Sequence, residues 1–168
     1  MGYRPTMPTT TEDFSLRPID AQDVAAIATL IRTAFAAQSV VTDPPPSALH
    51  VTEADITTHL CQGTGVVAEA GGDLVGSALW NEHKDGLYLG RLAVAPAWRR
   101  RGIARALILA AEMATRKAGL PRLYLSTRLV LLDNRRLFAA CGFVETAREA
   151  HPGYAEPTFV NMEKRLAE

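Results

Sequence analysis

The stretch Leu92-Ala93-Val94-Ala95-Pro96-Ala97-Trp98-Arg99-Arg100-Arg101-Gly102-Ile103-Ala104 decides how this chain is read. Its opening residues are apolar and suit a buried strand. Pro96 stops that strand, because proline has no N–H with which to continue a ladder. A basic turn follows, and apolar residues then recur at helical spacing from Ile103, so a helix opens at Gly102 or just after it. The first turn of a helix carries amides without intrahelical partners and the positive end of the helix dipole, which together attract anions. Gly102 has no Cβ to hold a ligand off the backbone, and Ala104 keeps the first turn open. Arg99, Arg100 and Arg101 add charge-assisted donors at the same point. An arginine run by itself is an ordinary solvated loop. The same run between a proline-stopped strand and an amphipathic helix suits a pyrophosphate.

Upstream of this stretch, Leu87 to Ala95 reads as a strand. It follows Gly65 to Ala70 and Leu74 to Trp80, with polar turns at Gly71-Gly72-Asp73 and at Glu82 to Gly86. Phe14 to Pro18 alternates apolar and polar, as a half-buried strand does. Asp20 is placed to cap a helix over Ala21 to Phe35, on which Val24, Ile27, Ile31 and Phe35 share a face. Asp43-Pro44-Pro45-Pro46 must be loop, and Thr52 opens a second helix ending near Cys61 and Gly63. Downstream, Ile103 to Ala118 forms a helix with a small-residue face, closed by Gly119. Pro121 to Thr127 is a strand, Leu131 to Cys141 a shorter helix ended by Gly142, and Phe143 to Arg148 and Thr158 to Arg165 a final strand pair. Hairpins mixed with crossover helices predict an α/β (α+β) mixed sheet covered by helices, not a doubly wound fold. Residues 1–11, rich in Thr and Pro, read as a flexible tail, and residues 12–168 as one domain.

Composition narrows the function classes. Lys+Arg and Asp+Glu both number 18, for a formal net charge of zero, which argues against nucleic-acid and membrane-surface partners. No apolar run approaches the ~18 residues that span a bilayer, and the opening MGYRPTMPTTTEDF lacks the core of a secretory signal, so a cytoplasmic location is expected. Cys61 and Cys141 are far apart and show no metal-type spacing, so no metal is expected, and both are read as small buried apolar residues. Trp80 reads as core or pocket wall and Trp98 as partly exposed, while His50 and His59 are read as surface histidines. Base rates favour a homodimer if the chain associates at all.

Arg99-x-x-Gly102-x-Ala104 resembles the (Gln/Arg)-x-x-Gly-x-(Gly/Ala) signature of the GNAT superfamily N-acetyltransferases. Leu92 to Pro96 looks like that family's fourth strand, and Leu137-Phe138-Ala139-Ala140-Cys141-Gly142-Phe143 looks like its later Leu-Tyr-x-x-x-Gly-Phe segment. The resemblance implies a mostly antiparallel sheet of about six or seven strands with about four helices and splayed central strands. It implies acetyl-CoA as cosubstrate and an amine as the other substrate. Arg99, Arg100, Arg101, Gly102, Ile103 and Ala104, with Arg105 nearby, would cradle the pyrophosphate. Leu92, Ala93 and Val94 would pair with the pantetheine arm like an added strand. A bulge there would aim a backbone N–H, assigned to Val94, at the thioester carbonyl. Asn134, Leu137 and Phe138 would line the far side.

The pattern departs from the family at Phe138. Many members carry Tyr there to protonate the leaving thiolate, and Phe cannot donate a proton. Water, Tyr154 or Cys141 are substitutes. The base that takes the proton of the attacking amine is equally open. Glu82, with His83 and Asp85, sits in what reads as a hairpin turn. His151-Pro152-Gly153-Tyr154 joins the last two strands, where His151 and Tyr154 are candidates for contact with the acceptor. The expected activity is acetyl transfer to an amine by direct attack in a ternary complex. The alternative is a non-catalytic acyl-CoA-binding or sensing module.

Overall fold

The computed structural model describes residues 13–166, and the expected elements appear in the expected order. They are β1 (Ser15–Pro18), α1 (Val24–Ala36), α2 (Glu53–Gln62), β2 (Thr64–Ala70), β3 (Asp73–His83), β4 (Gly86–Val94), α3 (Ile103–Lys117), β5 (Arg122–Arg128), α4 (Leu132–Ala140), β6 (Val144–Glu149) and β7 (Phe159–Arg165). The proposed tail, residues 1–11, lies outside the described residues. The sheet has seven strands in the order β1-β2-β3-β4-β5-β7-β6. Every pairing is antiparallel except β4 with β5.

Local chemistry explains the element boundaries. Asp20 caps as expected, but the turn it caps is a 3-10 turn over Ala21–Asp23 that runs into α1. Thr52 and Asp55 form a reciprocal capping box at the start of α2. Gly102, at φ 82, takes the left-handed conformation in front of α3, where a side chain would be strained. β3 runs on to His83, so Glu82 and His83 belong to a strand instead of the turn expected from their polarity. They pair with Leu87 and Gly86 of β4, and backbone pairing tolerates polar side chains on an exposed strand end.

The sheet separates two apolar layers. On one face α3 buries Ile103, Leu107, Ile108 and Ala111 against Leu87 and Leu89 of β4 and Leu123 and Leu125 of β5, with Phe138 and Phe143 completing the cluster. On the other face α1 buries Ile27, Ala28, Leu30 and Ile31 with Ile56 of α2, against Val67, Leu79 and Ala93. Each large side chain so buried contributes about 1.5–3 kcal/mol. Trp80 is core, as expected. Cys61 is not: it is exposed, because the buried stripe of α2 runs through Ile56 and Leu60 and position 61 is turned off it.

Candidate active site

The strand-to-helix junction ends in amides that bond to nothing among the described residues. A 3-10 turn at Pro96–Trp98 follows β4, then Arg100 takes φ 62 and Gly102 φ 82. The first amide to re-enter a ladder is that of Ala106, which donates to the Gly102 carbonyl. Among the described residues, no backbone amide from Arg100 to Arg105 donates to a carbonyl or a side chain, and α3 has no side-chain N-cap. A hollow of about 210 Å³, walled by Val94, Trp98, Gly102, Ile103, Ala104 and Leu137, adjoins them. A Cβ built on Gly102 would meet nothing within 4 Å, so its backbone faces open space.

The three arginines divide their work. Arg99 donates from Nη2 to the carbonyl of Ala34 at 3.1 Å and from Nη1 to that of Ala37 at 3.5 Å, so its guanidinium closes the end of α1. The Arg101 guanidinium lies 4.4 Å from the centre of the Trp98 ring, a cation–π contact. Arg100 is exposed and lines both the hollow and the larger cleft beside it.

That larger cleft, about 1320 Å³, passes between β4 and β5. These strands pair only through Leu87–Leu123 and Tyr88–Tyr124 and then splay, leaving the backbone of Gly90 to Val94 without a β5 partner. β4 also carries the expected bulge. Ser77 pairs with Ala93 but Leu79 with Gly90, so Arg91 and Leu92 together oppose Ala78, and Arg91 sits at φ 50. The bulge switches the strand's faces. Leu87 and Leu89 point toward α3 before it, and Leu92 and Val94 pack on that side after it.

The α1–α2 loop, the β6–β7 loop and the end of β5 meet at the far side of the splay. Tyr154 Oη donates to Asp43 Oδ1, which holds the phenol pKa above its ordinary value, with burial acting in the same direction. Arg128 Nη1 donates to the carbonyl of Pro44, and burial lowers the guanidinium pKa from its usual value. His151 Nδ1 is hydrogen-bonded to Thr158 Oγ1, with the direction set by the ring tautomer, and its ring centre lies 5.0 Å from that of Phe159. Burial, followed by the Arg128 charge, pulls the imidazole pKa down. His59, read as a surface residue from sequence, lines the cleft, with Nε2 3.0 Å from the Thr64 carbonyl oxygen.

A sequence profile of the acetyltransferase (GNAT) family matches residues 27–143, which take in both apolar layers, the splayed strands and the arginine turn. The chain belongs to the GNAT acetyltransferase family. Solved structures agree on the fold. The ribosomal-protein-S18-alanine N-acetyltransferase of Escherichia coli superposes with a TM-score of 0.74 at 18% identity, covering 92% of this chain and 95% of that one. The PaiA N-acetyltransferase of Thermoplasma acidophilum, in complex with coenzyme A, gives 0.74 at 16% identity, covering 91% and 99%. A GCN5-related N-acetyltransferase from Rhodopseudomonas palustris gives 0.75 at 22% identity, covering 90% and 95%. No match was found among curated protein sequences.

Within this GNAT domain most of the sequence-derived site residues come together. Leu92, Ala93, Val94, Arg99, Arg100, Ala104, Asn134, Leu137 and Phe138 line the large cleft, and Gly102, Ile103 and Arg105 the adjoining hollow. His151 lines the cleft, and Tyr154 sits behind it through Asp43. Glu82 lies outside, exposed at the opposite end of β4 from the splay. Phe138 is both cleft wall and core, with its ring edge-on to Phe143 at 5.9 Å. Sequence reading missed Arg91, Arg128 and Asp43. Arg128 had a signal, since Arg122, Tyr124, Ser126 and Arg128 alternate with Leu123, Leu125 and Thr127 and so must share the face opposite α3. Among the described residues no cluster of metal-ligating side chains is found.

Proposed function

We propose that this protein transfers the acetyl group of acetyl-CoA to an amine by direct attack in a ternary complex. The observation that carries the reading is the set of unpartnered amides from Arg100 to Arg105, beside a slot between splayed strands. The amides hold the pyrophosphate, with Arg100 and Arg105 adding charge. The backbone of Leu92 to Val94, without a β5 partner, accepts the pantetheine arm as a strand would. Acetyl-CoA supplies the activated thioester. We assign to the Val94 amide, two residues beyond the bulge at Arg91 and Leu92, the hydrogen bond to the carbonyl oxygen where negative charge develops. Asn134, Leu137 and Phe138 wall the far side.

In the transfer a nitrogen–carbon bond forms as the carbon–sulfur bond breaks, and the amine must lose a proton. His151 is the candidate to receive it, because the depressed pKa keeps the ring neutral at physiological pH. With the proton on Nδ1 facing Thr158, the Nε2 lone pair is free, since no hydrogen bond among the described residues uses it. Tyr154 commits its proton to Asp43 and so positions the loop in place of supplying an acid. Phe138 has no proton to give, so the thiolate leaves as the anion and takes its proton from water.

Thiol release from acetyl-CoA across a panel of amines tests the reading, alongside calorimetric titration with acetyl-CoA. Tight acetyl-CoA binding without thiol release from any amine would favour a sensing module, the reading that the buried Phe138 supports.

A further inference from the structure

This inference rests on the acyl-transfer reading and names the acceptor class. The cleft carries five arginines, Arg91, Arg99, Arg100, Arg128 and Arg136, and a single carboxylate, Asp133. The Asp133 charge is already used, 3.5 Å from Arg136. Arg99 is committed to α1 and Arg100 stands at the anion-binding turn. Arg91 and Arg128 remain, and neither has a salt-bridge partner among the described residues.

Both lie on the acceptor side. Arg128 alternates with Leu125 and Thr127 and pairs in register with Phe159, which puts it on the sheet face away from α3 and away from the pyrophosphate turn. The Arg91 guanidinium is held by Ser47 Oγ at 3.1 Å, from the loop that precedes α2. Pantetheine is uncharged, so it does not call for either cation. Arg128 is the more telling of the two. Its guanidinium is half-buried, its one hydrogen bond goes to the neutral carbonyl of Pro44, and Nε and Nη2 have no acceptor among the described residues. Nearby Asp43 is exposed, bonded to Tyr154 and not within ion-pair distance. Asp43 therefore reaches Arg128 only through space. A half-buried cation without a direct ion pair is costly unless an anion completes it, and a guanidinium matches a carboxylate in a two-pronged pair.

The same residues limit acceptor size. The bonds Tyr154–Asp43 and Arg128–Pro44 tie the β6–β7 loop and the end of β5 to the α1–α2 loop, and loops tied together in this way favour a small acceptor over a polypeptide.

We propose that the acceptor is a small amine that carries a carboxylate, an amino acid or a close analogue, and that Arg128, assisted by Arg91, reads that carboxylate.

The test is thiol release from acetyl-CoA with matched pairs, such as leucine and leucinamide or glutamate and its diamide, together with spermidine. The proposal expects kcat/KM to favour the acid of each pair at least tenfold, although the amide has the less basic and more freely deprotonated amine. R128Q should raise KM for the acid by tenfold or more while leaving KM for acetyl-CoA unchanged, and R128K should recover part of the loss. Equal or better use of the amides or of spermidine by the wild-type protein would overturn the carboxylate proposal and leave acyl transfer standing. An equal loss for acid and amide in R128Q would overturn the role of Arg128. Thiol release from none of these amines, nor from a wider amine panel, would overturn acyl transfer itself and the acceptor class with it.

Discussion

The guanidinium of Arg99 donates to the carbonyl oxygen of Ala34 at 3.1 Å, joining the arginine turn to the last turn of α1. A cation at a helix C-terminus satisfies free carbonyls and opposes the negative end of the dipole. The first arginine of the run is therefore a strut for the loop. Substituting Arg99→Ala should cost about 1–2 kcal/mol of stability, the range of a charge-assisted bond. Arg100→Ala should leave the melting temperature near wild type and raise KM for acetyl-CoA roughly tenfold. Thermal melts of both variants beside their acetyl-CoA kinetics check the division. The reverse pattern, with Arg99→Ala weakening binding and sparing stability, would sink it.

Gly102 offers a sharper probe of the turn. It sits at φ 82 with no atom within 4 Å of a would-be Cβ, so a side chain there would clash with nothing in the protein. Valine adds backbone strain of about 1–2 kcal/mol and projects its methyl groups into the space assigned to phosphate. Gly102→Val is expected to raise the Kd of acetyl-CoA more than tenfold by titration calorimetry, with a stability loss of about 1–2 kcal/mol. Unchanged acetyl-CoA affinity would remove the assignment of this turn.

The imidazole of His151 should set the acid limb of the rate profile. Burial and the Arg128 charge lower its pKa, so kcat/KM is expected to fall on acidification only below the ordinary histidine value of about 6.5. The same shift gives a stability effect of known sign. The unfolded chain protonates first, so the contribution of this group to folding weakens as pH drops through its unfolded pKa. His151→Gln should flatten the acid limb and lower kcat by roughly 10²-fold or more. A pH–rate series from about 5 to 9 on both proteins reads this out. A limb that persists in the variant would assign it to another group.

Asp23 anchors the entry to α1. Its carboxylate accepts from Arg17 Nη1 and Nη2, both at 2.8 Å, and from the backbone N–H of Asp20 at 2.7 Å. The Arg17 hydrogen bonds hold its pKa below the usual carboxylate range, against the opposing effect of burial. The stabilisation is therefore fully present above the unfolded value of about 3.9 and is lost as pH falls through the lower folded value. Asp23→Asn should cost about 1–3 kcal/mol at neutral pH, and the gap between variant and wild type should close in acid. Urea unfolding at neutral pH and in acid measures both. A constant gap would show that charge is not the cause.

Element order, the strand–turn–helix junction at the arginine run and the pairing of Gly102 with the start of α3 were legible in the chain because their causes are local. A proline stops a strand, a glycine permits a left-handed φ, and helical periodicity declares itself over a few turns. The same locality explains the misreadings. Glu82 and His83 look like turn residues by polarity, yet the ladder with Leu87 and Gly86 extends β3 through them.

Contacts between residues far apart in sequence left no such trace. Asp43, Arg128 and Tyr154 belong to three elements and meet only because the sheet order brings β5 beside β7 and the α1–α2 loop over both. No periodicity in the chain records where a long side chain turns once it is on the right face. Sequence alone therefore located the place where phosphate is expected to bind. The direction of Arg99, the exposure of Cys61 and the bond of Arg128 to a neutral carbonyl in place of a carboxylate came from packing, because each depends on which distant atoms fill or leave empty the space around a side chain.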